Sequence, residues 1–258
     1  MVKQLSFALR LSDVCLNRVL LSSEANVYVD GVLRRHEYKK DGYFIFTDIP
    51  EGIHRVSVSS FKFQTEVLDI NVDYSPNITA QQRLHYIMLN PSERHPEAVR
   101  MPSVRGNAPG AEYVYILRER CELKVAEDTA QAGNTQLRLF CIGAKPQLPS
   151  VFRINDKKAA NSELITLSGY KDNIYQLSEP LKYPHPRSSS VVALVRVRCD
   201  EDGGFFFVIP PDFRPDKESG KIHLTIISDD GTSAKSAQAE AMASGVTELG
   251  VIKMKKGS

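Results

Sequence analysis

Polar and apolar positions alternate along most of the chain with a period of two, the spacing that lets one face of a strand be buried while the other meets water. Leu5, Phe7, Leu9 and Leu11 interleave with Ser6, Ala8 and Arg10, and Val27 and Val29 flank Tyr28. Val56 and Val58 alternate with Arg55, Ser57 and Ser59. Over 61–72 the parity changes: Phe61, Phe63, Thr65 and Val67 share one, and Leu68, Ile70 and Val72 share the other. A β-bulge near Val67 and Leu68 is the expected device for such a switch of faces. Helical spacing is scarce. The Ala-rich stretch 233–244 has no apolar stripe and reads as strand plus loop. The pattern predicts an all-β protein.

At 258 residues the chain exceeds the usual size of one domain, and two are expected. Pro91, Pro96, Pro102 and Pro109 fall in a stretch without sustained periodicity, which predicts a semi-rigid Pro-rich linker over 91–110. It would join a β-sandwich domain at 1–90 to a second at 111–258. Alternation after the linker, in 113–117, 136–141, 151–154, 164–167, 174–177, 191–198, 205–209, 221–227 and 246–254, supplies more strands than a seven-stranded sandwich needs. The second domain is therefore expected to be an enlarged sandwich.

One device occurs twice. Asp41-Gly42 precedes Tyr43-Phe44-Ile45-Phe46, and Asp202-Gly203 precedes Gly204-Phe205-Phe206-Phe207. Each run closes on a proline, Pro50 or Pro210. Asp-Gly before an aromatic β run is a hairpin signal, because glycine accepts the positive φ of a tight turn.

Leu9-Arg10-Leu11-Ser12-Asp13, then Val27-Tyr28-Val29-Asp30-Gly31, Asp41-Gly42-Tyr43-Phe44 and Ile49-Pro50-Glu51-Gly52-Ile53-His54-Arg55-Val56 follow in an order that resembles the carboxypeptidase-regulatory-like, transthyretin-like sandwich family. The resemblance covers roughly residues 3 to 90, and more loosely 185 to 255. It implies an Ig-like β-sandwich of seven strands with no catalytic residues of its own, in a family appended to many unrelated proteins. The stretch 112–184 departs from it.

Charge and chemistry narrow the function classes. Thirty-three Lys and Arg against 31 Asp and Glu leave a net charge of +2, with no global field to draw in nucleic acid or an anionic membrane. The N-terminus meets Arg10 before any signal-peptide core could form, and no run of 18 apolar residues could span a bilayer, so a cytoplasmic location is expected. Cys15, Cys121, Cys141 and Cys199 form no Cys-x-x-Cys pair and read as small buried thiols. His36, His54, His85, His95, His185 and His223 include no close pair suited to a metal. Asp200, Asp202 and Gly203, like Asp229-Asp230-Gly231, read as turns and not as calcium loops. No Gly-x-Ser-x-Gly elbow or nucleophile beside a histidine is present, and neither an enzyme nor a cofactor is expected.

The aromatic runs place apolar groups on both faces of their strands, whereas a sandwich strand normally shows one face to water. Either a neighbouring element covers the second face, or the outer side chains Tyr43, Ile45 and Phe206 belong to a protein interface. The expectation is a non-enzymatic structural or protein-interaction module that docks other subunits or itself, with a fold-level likeness to accessory proteins of bacterial or phage-tail-like assemblies. The alternative is a carbohydrate-binding or adhesive module using Tyr113, Tyr115, Tyr170, Tyr175 and Tyr183, a reading that the absence of tryptophan disfavours.

Overall fold

The computed structural model describes residues 3–253, 255 and 256, apart from 17, 81, 143–145, 147, 149, 157, 173 and 230–233. Among the described residues the regular elements are strands and three short 3-10 turns, and the protein is all-β. The chain divides into two compact units, Met1–Ser103 with Phe206–Pro210, and Val104–Phe205 with Pro211–Ser258.

The first unit carries β1 (Leu5–Asp13), β2 (Arg18–Val19), β3 (Asn26–Val29), β4 (Val32–Leu33), β5 (Glu37–Lys39), β6 (Tyr43–Thr47), β7 (Gly52–Ser59), β8 (Glu66–Val72) and β9 (Leu84–Leu89). One sheet runs β2-β1-β6-β5, with β9 added parallel to β1, and the other runs β4-β3-β7-β8. Alternation builds the core. Phe7, Leu9, Leu11, Phe44, Phe46, Ile87 and Leu89 of the first sheet share one buried cluster with Val27, Val29, Val56, Val58, Ile70 and Val72 of the second. Each such side chain removed from water contributes about 1.5–3 kcal/mol.

The bulge expected near Val67 and Leu68 is corrected: β7 and β8 pair without a register shift from Gly52↔Val72 to Val58↔Glu66. The parity changes because the residues before β8 have another partner. Gln64 N–H donates to the Asn90 carbonyl at 2.9 Å, Ser92 N–H donates to the Lys62 carbonyl at 2.8 Å, and Phe63 bridges Pro91. Phe63 turns inward there, while Phe61 stays 70% exposed.

The remaining strands are β10 (Ser103–Asn107), β11 (Tyr113–Val125), β12 (Thr129–Ala130), β13 (Gln136–Ile142), β14 (Ser150–Asn155), β15 (Glu163–Lys171), β16 (Ile174–Leu177), β17 (His185–Pro186), β18 (Ser190–Arg198), β19 (Gly204–Val208), β20 (Lys221–Asp229), β21 (Ala234–Met242), β22 (Val246–Val251) and β23 (Lys255–Lys256). The unit boundary passes through β10 and β19.

The expected second sandwich is corrected. The order β13-β16-β15-β14-β18-β11 closes through a further β11–β13 pairing, so six antiparallel strands form a ring. Leu123, Val125, Leu137, Leu139, Phe152, Ile154, Ile165, Leu167, Tyr175 and Val191 fill one buried cluster from those strands. The length of β11 makes the closure possible. Its first half pairs with β18 and β20, and its second half, past an irregularity between Arg118 and Glu122, pairs with β18 and β13. The sheet extends beyond the ring through β20, β21 and β23.

Residues 91–110 are more than a connector. They carry a 3-10 turn, Pro96–Val99, and β10, the middle strand of the order β19-β10-β22, and they bury His95, Ser103 and Val104. Within the Ala-rich 233–244 stretch, Ala234–Met242 form β21, an extended partner of β20 over nine residue pairs, and residue 233 lies outside the described residues.

Candidate interaction surface

The two Asp-Gly devices form the same local structure. Lys39 pairs with Tyr43 across a three-residue loop, Gly42 N–H donates to the Lys39 carbonyl at 2.8 Å, and Gly42 has φ +84°. In the second, Gly203 N–H donates to the Asp200 carbonyl at 3.0 Å and Gly203 also has φ +84°. The Asp200 carboxylate accepts from Asp202 and Gly204 N–H at 3.0 and 2.7 Å, an Asx-type turn. The first loop closes a hairpin within one sheet. The second hands the chain from the sheet of β18 to the sheet of β19.

The hairpin β5–β6 positions Tyr43 and Ile45 on the face opposite the Phe44 and Phe46 core. Strand registers put them in two cross-strand rows. One reads Lys39, Tyr43, Arg10, Tyr86 across β5, β6, β1 and β9, and the next reads Glu37, Ile45, Ala8, Leu84. Met88 continues the face two residues beyond Tyr86. Tyr43, Ile45, Leu84, Tyr86 and Met88 are half-buried, and Ala8 is 9% exposed, so the side chains shield one another as an apolar face. The Arg10 guanidinium lies 5.6 Å from the centre of the Tyr43 ring. At the rim Glu37 accepts from Lys3 at 3.0 Å and stands 3.5 Å from Lys39, and these ammonium groups hold its carboxyl below the usual carboxylate range.

Phe206 does not join this face. It is 8% exposed and packs with Ala98 and Val208, with Cys15 and Met101 against them, inside the first unit. The expectation of Phe206 as a surface anchor is corrected: β19 is covered, and Phe205, Phe206, Phe207 and Val208 are all buried. Of the residues expected from the sequence, Tyr43 and Ile45 lie on this face; Arg10, Leu84 and Tyr86, which share it, were not among them. The positions of Arg10 between the core residues Leu9 and Leu11, and of Leu84 and Tyr86 at the parity opposite to the core residues Ile87 and Leu89, were the available signal.

The buried ionisable groups serve the scaffold. Asp13, fully buried, accepts Cys15 and Leu16 N–H at 2.9 and 3.1 Å and faces His95 Nε2 at 3.3 Å. Glu97 N–H occupies His95 Nδ1 at 3.2 Å, so Nε2 carries the proton and donates to Asp13. His185, also fully buried, donates from Nε2 to Glu163 at 2.7 Å. Burial opposes ionisation of Glu163, but the bond from His185 and the N–H groups of Lys182 and Tyr183 outweigh it and lower its carboxyl below the ordinary range. His95 has one carboxylate, Asp13, whereas His185 lies between two, Glu163 at Nε2 and Asp156 3.5 Å from Nδ1.

Among the described residues no three His, Cys, Asp or Glu side chains converge on a point where a metal could sit, and no helix is long and apolar enough to cross a membrane. Cys199 is buried, and burial followed by the neighbouring Asp200 pushes its thiol up to about 11; Cys15 and Cys141 are partly exposed, and the side chain of Cys121 lies outside the described residues. Asp230 and Gly231 lie outside them as well.

A cleft of about 560 Å³ in the second unit is lined by Glu127, Gly133, Asn134, Thr135, Gln136, Arg138 and Ile174. None of the five tyrosines considered for sugar binding lines it. Tyr175 is buried in the ring core with the Tyr170 ring tilted against it at 4.8 Å, Arg196 lies over Tyr113 at 4.7 Å, Tyr115 is half-buried, and Tyr183 is 38% exposed.

No family model and no curated protein matches the chain. Among solved structures it is similar to the major pilin subunit BcpA of Bacillus cereus, at 8% identity over 95% of this chain and 68% of that one, with a TM-score of 0.26. A D312A form of the same pilin gives 9% identity over 93% and 69%, also with a TM-score of 0.26. The TIE protein of Bacillus anthracis gives 9% identity over 96% and 50%, with a TM-score of 0.25. Similarities this slight carry neither a topology nor a role across to this chain.

Proposed function

We propose that this protein is a non-enzymatic interaction module that docks another protein through the outer face of β1, β6 and β9, as an accessory subunit of a larger assembly. The observation that carries the reading is the pair of cross-strand rows in which Tyr43, Ile45, Leu84 and Tyr86 occupy the side of the sheet away from its core. An antiparallel sheet facing water on that side would place polar groups there. A contiguous apolar face rimmed by the Lys3–Glu37–Lys39 ion pairs has the anatomy of a protein contact, an apolar centre inside a charged edge. The five-stranded sheet over a four-stranded one, with the resemblance of residues 3 to 90, supports a transthyretin-like sandwich as the carrier of that face.

The test is affinity capture on tagged full-length protein from the native host, comparing the unaltered chain with Ile45→Lys. A partner recovered by the first and lost by the second, with circular dichroism unchanged, is the expected result. A partner set indifferent to Ile45→Lys would overturn the assignment of this face.

A further inference from the structure

Arg10 stands at the centre of the outer face of β1, between Tyr43 on β6 and Tyr86 on β9. Tyr43, Tyr86, Ile45, Leu84 and Met88 surround it on the face, with Ser12 next along β1, and among the described residues its ring interaction is with Tyr43. Its Nε is buried and has no hydrogen-bond partner, and among the described residues no carboxylate pairs with the guanidinium. The rim differs: Lys3 and Lys39 both reach Glu37, and further along the chain Arg18 grips Glu24 through two bonds of 2.7 Å. Lys3, Lys39 and Arg18 thus have carboxylate partners, and Arg10, at the centre of the apolar face, has none among the described residues.

A buried donor left without an acceptor is costly, and the cost rises when the donor is charged. Covering this face with a purely apolar partner would strip water from the rest of the guanidinium and add to that cost. A partner that presents a carboxylate would instead meet the planar fork of donors with a two-pronged acceptor in surroundings already shielded from water. Arginine at the centre of a contact, flanked by tyrosines, is the composition that dominates binding energy in protein interfaces.

We infer that the face takes a partner protein whose contact segment carries an aspartate or glutamate among aliphatic or aromatic residues, with the carboxylate paired to Arg10. This rests on the docking assignment above and names the chemistry of its partner. A second copy of this chain is the competing occupant. Glu37, the carboxylate of these two rows, already serves Lys3 and Lys39 and sits at the rim.

The experiment uses full-length protein and a displayed library of random twelve-residue peptides as the probe, with selected peptides then measured against Arg10→Gln, Arg10→Lys and Ile45→Lys. The expected result is enrichment of Asp or Glu next to apolar residues in the peptides. Their affinity should fall by about tenfold or more in Arg10→Gln, less in Arg10→Lys, and further as salt is raised. Should Arg10→Gln fail to fold, the enrichment on the unaltered chain decides the matter alone. Peptides that are lost on Ile45→Lys but show no acidic enrichment would sink the inferred partner chemistry and leave the docking assignment standing. Peptides indifferent to Ile45→Lys would remove the docking assignment itself. Dimerisation by light scattering that is lost with Ile45→Lys and unaffected by Arg10→Gln would replace the acidic partner with a second copy.

Discussion

Arg18 and Glu24 show what a single pair does at the edge of the first unit. The guanidinium meets both oxygens of Glu24 at 2.7 Å, and Leu21 N–H adds a third bond at 2.9 Å. The Arg18 bonds, helped by that N–H and by Lys62, lower the Glu24 carboxyl to about 2. Its folded value lies below its unfolded one, so the pair contributes stability that is fully present above about pH 4.5 and is lost as pH falls toward 2. Glu24→Gln is expected to cost about 1 kcal/mol at pH 7, because Arg18 is open to solvent and water screens part of the attraction. Urea melts of both proteins at a series of pH values should show the difference shrinking to nothing near pH 2, and a constant difference would contradict it. At this scale the sequence was partly legible. Tyr43 and Ile45 announced themselves as apolar groups of the wrong parity, whereas Arg10 looked like an ordinary solvent-facing residue of an alternating strand. Only the neighbours brought in by β6 and β9 make it a cation in an apolar field.

The repeated turn carries the argument at the level of elements. A Cβ built on Gly42 would sit 1.9 Å from Cγ1 of Val19, at a φ of +84°. Gly31 shares a positive φ, +78°, but nothing lies within 4 Å of the place its Cβ would take. Gly42→Ala therefore combines backbone strain with a clash and is expected to destabilise by about 3 kcal/mol, and Gly31→Ala by about 1 kcal/mol from strain alone. Thermal denaturation of the two variants side by side separates the contributions, and equal losses would show that the approach of Val19 is immaterial. Both Asp-Gly turns were readable because their chemistry is local. The fate of the strand after each was not. Tyr43 begins a strand that stays in the sheet of β5, while the run after Gly203 leaves the sheet of β18 for that of β10. The same limit explains the parity change before Leu68, which came from backbone bonds to Asn90 and Ser92 more than twenty residues downstream and not from a bulge.

For the molecule as a whole, the informative segment is Phe206–Pro210, which completes the first unit although more than a hundred residues separate it from that unit's last strand. Phe206 and Val208 pack on Ala98, and Ile209 N–H donates to the Pro102 carbonyl at 2.8 Å. Phe206→Ala in the intact chain is expected to lose about 3 kcal/mol of stability, as truncation of a buried phenylalanine does. A surface anchor would lose about 0.5 kcal/mol or less, and chemical denaturation distinguishes the two. Alternation along the chain determined by itself that the protein is all-β, where the two Asp-Gly turns lie, and which residues of the first unit's alternating strands face a core, because strand period and turn chemistry are properties of a few neighbouring residues. Tertiary structure alone decided that the second unit closes into a six-stranded ring, that Phe206 is covered while Tyr43 and Ile45 are not, and that Arg10 lies between two tyrosines. Those outcomes depend on which distant strands pair and in what register, and two strands with the same alternation can satisfy their backbone bonds with different partners.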